Sequence, residues 1–201
     1  VQNSVFAPLG VTRPRLGRTQ QALRATGEVR YHGRNLRISQ SVADSARPWT
    51  PNQYGGWNLE NMDAHGAWVL AAPDMAKLLA SFDLGASNPI LDQTRTTEMF
   101  STPSAIASMF PNTARGWFRA NLGGGVTALG HNGSLPGTSA LAYRRSDGVS
   151  IVVLFNKDMK STEYLWMANH PLGNALNAAV NGVTTWPTDD KFPSVGIPSF
   201  N

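Results

Sequence analysis

The stretch from Leu129 to Asn156 restricts this chain more than any other. A polar triplet, His131-Asn132-Gly133, leads into a Pro136-Gly137 turn. An alternating run follows from Ser139 to Tyr143, then a hairpin signal over Arg144 to Gly148, then a nearly unbroken apolar run from Val149 to Phe155. Alternation with period two puts successive side chains on opposite faces of a strand, and a short apolar run between turns reads as a buried strand. The pattern predicts three antiparallel strands, over 126–131, 139–144 and 149–155. The triplet then lies where a loop enters a strand, a place that displays a polar side chain and a backbone N–H. Gly133 lets a ligand approach the backbone closely. On these residues alone a plain antiparallel hairpin fits as well as the lip of a site.

The surrounding composition narrows the classes open to such a hairpin. With 201 residues, 41% of them hydrophobic and only 15% charged, the chain can bury a core as a single domain and is not of the disordered kind. Nineteen glycines and thirteen prolines point to many turns rather than a helical bundle. The absence of cysteine excludes a disulfide scaffold, thiol catalysis and thiolate metal sites. No window reaches eighteen consecutive apolar residues, so no membrane-spanning helix is expected. The net charge of +4 is uneven: residues 1–47 carry eight arginines, from Arg13 to Arg47, against Glu28 and Asp44. These arginines lack interleaved aromatics and form no helical stripe. A solvated, loop-rich face accounts for them better than a nucleic-acid surface, and no nucleic-acid partner is expected.

Before the hairpin, Val1 to Phe6 reads as the last turns of a helix stopped by Ala7-Pro8-Leu9-Gly10. Residues 27–38 could form short strands about His32-Gly33. A helix is predicted from Pro73 or Asp74 to Asp83, with Met75, Leu78, Leu79 and Phe82 as its apolar stripe, and a shorter one over 92–99. Gly116 to Asn121 reads as a strand that turns at Gly123-Gly124-Gly125. A terminal helix is expected over 161–179, interrupted or kinked at Pro171-Leu172-Gly173, followed by a Pro-rich tail that wraps the surface.

In this order the pieces resemble the serine β-lactamase and penicillin-binding-protein-like hydrolases, closest to the class C-type esterases, amidases and D-amino-acid peptidases. Phe6-Ala7-Pro8-Leu9-Gly10-Val11 is similar to the family's F-x-P-L-G-M segment. Ala64-His65-Gly66-Ala67-Trp68 through Asp74-Met75-Ala76-Lys77-Leu78-Leu79 is similar to its G-G-l-x-S-T-a-x-D-l-a-r-f segment. His131-Asn132-Gly133 stands in the place of the third catalytic motif, K-T-G or H-x-G. The strand ending at Asn156 looks like the closing strand. The resemblance implies an α+β fold, with antiparallel strands, a packed C-terminal helix and long loops.

Two motifs of that family are missing. No S-x-x-K exists: three residues before Lys77, Lys157, Lys160 and Lys191 stand Asp74, Leu154, Lys157 and Thr188. No Tyr-x-Asn exists either: Gly33, Gly56, Arg145 and Trp166 stand two after the four tyrosines. Both motifs precede the P-L-G segment in the family, and with the start at Val1 they lead to the expectation that the chain is the C-terminal part of such an enzyme. Alone it is expected to be inactive.

The resemblance implies that His131, Asn132, Gly133 and Ser134 form one wall of the active site. His131 supplies a hydrogen bond or charge, Asn132 points into the cleft, and the Ser134 N–H forms half of an oxyanion hole. A histidine in place of lysine holds a carboxylate less firmly, which weakens the case for β-lactams among the ester, amide and peptide substrates. Tyr54, Trp57 and Trp68, with His65 beside them, are the candidate substrate-binding residues, although aromatics like these most often pack in a core. Asp63 and His65 lack a third ligand, so neither metal nor cofactor is expected. Two partner readings follow. The missing N-terminal segment, as a second polypeptide, or a homodimer partner would cover the hydrophobic edge at 149–155. Alternatively the chain is an inactive relative that holds a peptidoglycan-type ligand or a protein. The family implies a bacterial, periplasmic or secreted protein.

Overall fold

Glycine-bearing turns join the central strands, and the computed structural model describes residues 1–160 and 167–200. The strands are β1 (Arg15–Leu16), β2 (Ile38–Gln40), β3 (Trp49–Pro51), β4 (Trp68–Val69), β5 (Phe118–Gly123), β6 (Val126–Leu135), β7 (Thr138–Arg145) and β8 (Ser150–Phe155). The helices are α1 (Ala72–Ser81), α2 (Gln93–Met99) and α3 (Pro171–Asn181). Strands β5 to β8 form one antiparallel sheet in sequence order; β1 pairs with β4 and β2 with β3. Gly124 and Gly125, at φ +59° and +81°, make the β5–β6 turn, where a Cβ would be strained.

Period-two alternation assigns the two faces of the sheet. Ala128, Leu141 and Tyr143 point to one side, where Met167, Leu172 and Leu176 close a buried cluster with Phe118, Ala120 and Ile151. Helix α3 lies on this side. Its Asn177 takes a 3.0 Å hydrogen bond from the Tyr143 hydroxyl and gives one of 2.6 Å to the Met167 carbonyl. Arg145, only 4% exposed, is held by Asp147, Asn177 and Asn181. On the other side α1 packs against β7 and β8, and Arg144 reaches Asp83 just past the end of α1.

Helix α1 has the predicted bounds within two residues, and Leu79 and Phe82 are buried as expected. Its buried surface also includes Asp74, Lys77 and Ser81, each 0% exposed. Asp74 accepts from Arg13 Nη2 at 2.7 Å and from the Ala71 N–H at 2.8 Å, half of a capping box at the helix start. The Lys77 ammonium donates to the Pro198 carbonyl at 2.7 Å and sits 3.3 Å from the Phe200 ring centre. Desolvation lowers its pKa from the ordinary lysine value. The Pro-rich tail does wrap the surface: Ile197 joins Phe6, Leu9 and Val11 in a second core cluster.

Four expectations need correction. Among the described residues the sheet has four strands, because the strand expected before the glycine turn at 123–125 pairs with the three of the hairpin region. The first of those three does not stop at His131. The loop Pro136-Gly137 closes at the pair Leu135–Thr138, so pairing runs to the turn and carries the whole triplet into the middle of β6. Residues 27–38 form no strand pair of their own; His32 makes an isolated bridge to Lys157, and β2 starts at Ile38. Helix α3 begins at Pro171, which occupies the first helical position, where no N–H is required, and residues 167–170 before it are not helical. Residues 161–166 of the expected helix lie outside the described residues.

Candidate active site

The alternation of bonding along β6 decides what its triplet can offer. Leu135 and Thr138 close a two-residue loop and therefore exchange ladder hydrogen bonds; bonded and non-bonded pairs then alternate. Ser134–Ser139 and Asn132–Leu141 are non-bonded pairs, so the N–H and C=O groups of Asn132 and Ser134 point away from β7. On that side β5 reaches only to Gly130, the partner of its first residue Phe118. The Ser134 N–H is thus directed to a flank of the sheet that no strand of the described residues covers.

His131 is exposed, and its Nδ1 lies 2.5 Å from the Asn132 carbonyl oxygen. That oxygen can only accept, so Nδ1 carries the proton, and the neutral ring presents Nε2 as an acceptor. Protonation would turn Nε2 into a donor with positive charge. The ring also leans on Phe118, with centres 5.0 Å apart and planes at 34°. Two recesses flank the tip of the β6–β7 hairpin. One, of about 80 Å³, includes Trp57, Trp68, Tyr31 and Pro136. The other, of about 290 Å³, is lined by Ser134, Trp57, Asn52, Gln53, Arg34 and Arg37 among others. Trp57, Gln53, Leu135 and Pro136 border both.

Each candidate residue therefore has a definite place. Trp57 borders both recesses and shares the larger with Ser134, whereas Trp68 lines only the smaller. Tyr54 lies behind them: it is buried, its ring stacks on Tyr31 at 5.7 Å, and its hydroxyl accepts the Tyr31 N–H at 2.6 Å. It supports the wall that Tyr31 forms. His65 is exposed in a turn, where its N–H bonds to the Met62 carbonyl, and it lines neither recess. Asn132 and Gly133 are half-buried within β6. Among the described residues no group of three or more His, Cys, Asp or Glu is placed to hold a metal ion. Ser139 is 2% exposed and accepts the Met159 N–H at 2.9 Å, a structural task.

The sequence reading missed Arg34, Arg37, Asn52, Gln53 and Asp158 as lining residues. They come from three separated segments, and the signal available for them was the arginine excess of residues 1–47, which reads equally well as a solvated surface.

In a comparison of the sequence with protein families, the beta-lactamase family model matches residues 1–172. The chain belongs to the beta-lactamase family. Among solved structures, this beta-lactamase-family chain is similar to a D-stereospecific amidohydrolase from Streptomyces sp., with a TM-score of 0.51 and 22% identity over 78% of the chain. That likeness concerns the fold, which is the mixed helix and antiparallel-sheet architecture of the β-lactamase/transpeptidase type. The chain spans 43% of the amidohydrolase's length. No curated protein matches the sequence.

Proposed function

We propose that the chain is part of a serine hydrolase that acts through an acyl-enzyme, and that β6 supplies one wall of its active site. The observation that carries this reading is the direction of the Ser134 N–H, which leaves β6 on the flank not covered by β5. A fixed N–H suits the developing negative charge of a tetrahedral intermediate, while the exposed His131, three residues earlier on the same strand, has Nε2 available to the leaving group or to a polar end of the substrate. Residues 1–201 hold no S-x-x-K, so in this proposal the nucleophile and its own N–H, the second half of the oxyanion hole, come from polypeptide outside them. Amides of D-configured residues are the leading substrate class, by analogy with the D-stereospecific amidohydrolase of similar fold; carboxylic esters follow.

A fluorophosphonate probe tests this. The 201-residue chain alone should show no labelling and no ester hydrolysis. Supplied with upstream polypeptide that carries S-x-x-K and Tyr-x-Asn, it should acquire both. In that assembled form Ser134→Pro removes one N–H that the β7 ladder does not use, and the rate should fall on the order of 100- to 1000-fold with circular dichroism unchanged. Hydrolysis by the 201 residues alone, or full activity in S134P, would overturn the proposal.

A further inference from the structure

The larger recess at the hairpin tip has a composition that hydrolysis does not require. Its floor and walls combine the Trp57 ring, 46% exposed, with Leu135 and Pro136, and its rim carries Arg34, Arg37 and the amides of Asn35, Asn52 and Gln53. Arg34 and Arg37 make no ion pair with a carboxylate among the described residues, unlike Arg13, Arg18, Arg47, Arg95, Arg115, Arg144 and Arg145. One carboxylate, Asp158, shares the recess. It accepts the Arg34 backbone N–H, so its charge is partly taken up by the loop itself. Two guanidinium groups against one carboxylate leave the recess cationic.

The loop that presents these arginines is tied down along its length. The His32 N–H reaches the Asn156 carbonyl at 2.9 Å and the Gly137 carbonyl at 3.3 Å, and the Asp158 N–H returns to the His32 carbonyl. The Asn52 N–H holds the Arg37 carbonyl at 2.8 Å, and Asn52 Oδ1 is fixed in turn by the Ser39 hydroxyl. Backbone anchors at both ends place the guanidinium stems at the rim without consuming their charges. An apolar floor with convergent cationic and amide donors is the make-up of a site for an organic anion.

We infer that this recess binds the carboxylate of an apolar or aromatic organic acid, with Arg34 and Arg37 holding the carboxylate and Trp57 covering the apolar part. The inference concerns binding alone and survives if the chain never forms an acyl-enzyme. If it does form one, Ser134 at the same recess places such an acid in the acyl group or at the end of the substrate.

Titration of the 201-residue chain with phenylacetate and with its neutral isostere phenylacetamide, by calorimetry, tests this directly. Phenylacetate should bind about tenfold more tightly than the amide, and its affinity should fall severalfold as sodium chloride is raised. Arg34→Gln and Arg37→Gln should each weaken phenylacetate about three- to fivefold and leave phenylacetamide unchanged. Arg47→Gln, at a residue 85% exposed and paired with Asp44 outside the recess, should change neither. Equal affinity for acid and amide, indifference to salt, or no acid binding up to roughly 10 mM would overturn the inference. The acid–amide and salt comparisons use the unaltered chain, so they stand even if a variant misfolds.

Discussion

Two glycines three residues apart in β6, Gly130 and Gly133, should respond to the same substitution in opposite ways. A Cβ added at Gly130 would lie 2.3 Å from Tyr143 Cβ, 2.7 Å from the Ala142 carbonyl oxygen and 2.7 Å from Met167 Sδ. Two of these neighbours belong to the paired strand and cannot move without displacing the ladder; only the methionine tip can yield. Overpacking of this kind costs about 3 kcal/mol, the upper part of the range for a well-packed core. At about 2–4 °C per kcal/mol for a chain of this length, Gly130→Ala should lower Tm by roughly 6–12 °C. At Gly133 the nearest atom to an added Cβ is Ala140 Cβ at 3.6 Å, ordinary van der Waals contact. Gly133→Ala should therefore change stability by less than about 0.5 kcal/mol. If β6 lines the active site, G133A should nonetheless impair turnover in the assembled enzyme, because the added methyl stands where a substrate approaches the backbone. Denaturant unfolding of both variants, followed by circular dichroism, measures the first pair of numbers. A Gly130→Ala cost below about 1 kcal/mol, or one no larger than that of Gly133→Ala, would refute the packing argument.

The other consequences concern pH, a buried arginine and the sheet edge. Burial pushes the Tyr143 hydroxyl up to about 12, whereas in the unfolded chain it ionises near 10; the chain should lose stability as pH rises from 10 to 12. Tyr143→Phe should cost about 1 kcal/mol at neutral pH through the lost Asn177 bond, yet flatten that alkaline loss; an unchanged alkaline slope would refute the assignment. The hydrogen bond from Arg145 holds the Asp147 carboxyl below its ordinary range. Its stabilising effect is therefore present above about pH 4 and is lost as pH falls through the depressed folded value. Asp147→Asn should cost about 1–2 kcal/mol at pH 7, moderated by the partial exposure of Asp147, and almost nothing in strong acid; urea titrations at both pH values check this. Among the described residues β8 is the last strand of the sheet, with Leu154 exposed, so sedimentation of the 201-residue chain should show an associated species that Leu154→Lys disperses, and a monomer at tens of micromolar would refute it.

Local rules made the hairpins and α1 legible. The Pro136-Gly137 and Gly124-Gly125 turns and the alternation from Ser139 to Tyr143 act over a few residues, and the strands formed where those rules placed them. The extent of β6 was less legible, because a polar triplet lowers the apolar signal although the two-residue turn enforces pairing through it. The buried polar surface of α1 was also out of reach of periodicity. Asp74 and Lys77 look like a solvated face until Arg13 and the tail at Pro198 and Phe200, more than a hundred residues away along the chain, cover them. The same distance problem hid the larger recess, whose walls arrive from residues 33–37, 52–57, 134–136 and 158.

Gly137 shows why that assembly is specific rather than incidental. Its φ of +84° suits the turn, and its missing Cβ leaves room for the loop that docks on the tip: an added Cβ would stand 2.7 Å from Tyr31 Cβ and 3.1 Å from the His32 nitrogen. The turn that sets the register of β6, and so the direction of the Ser134 N–H, is also the surface on which the arginine loop rests. Tyr31, stacked on the buried Tyr54, fixes that loop from below, and the His32 bonds to Gly137 and Asn156 fix it from the sides. The Ser134 N–H and the recess that Arg34 and Arg37 line are thereby held in one frame. A shift of the hairpin tip would move both, so the proposed oxyanion contact and the proposed acid binding should fail together when the Gly137 turn is disturbed.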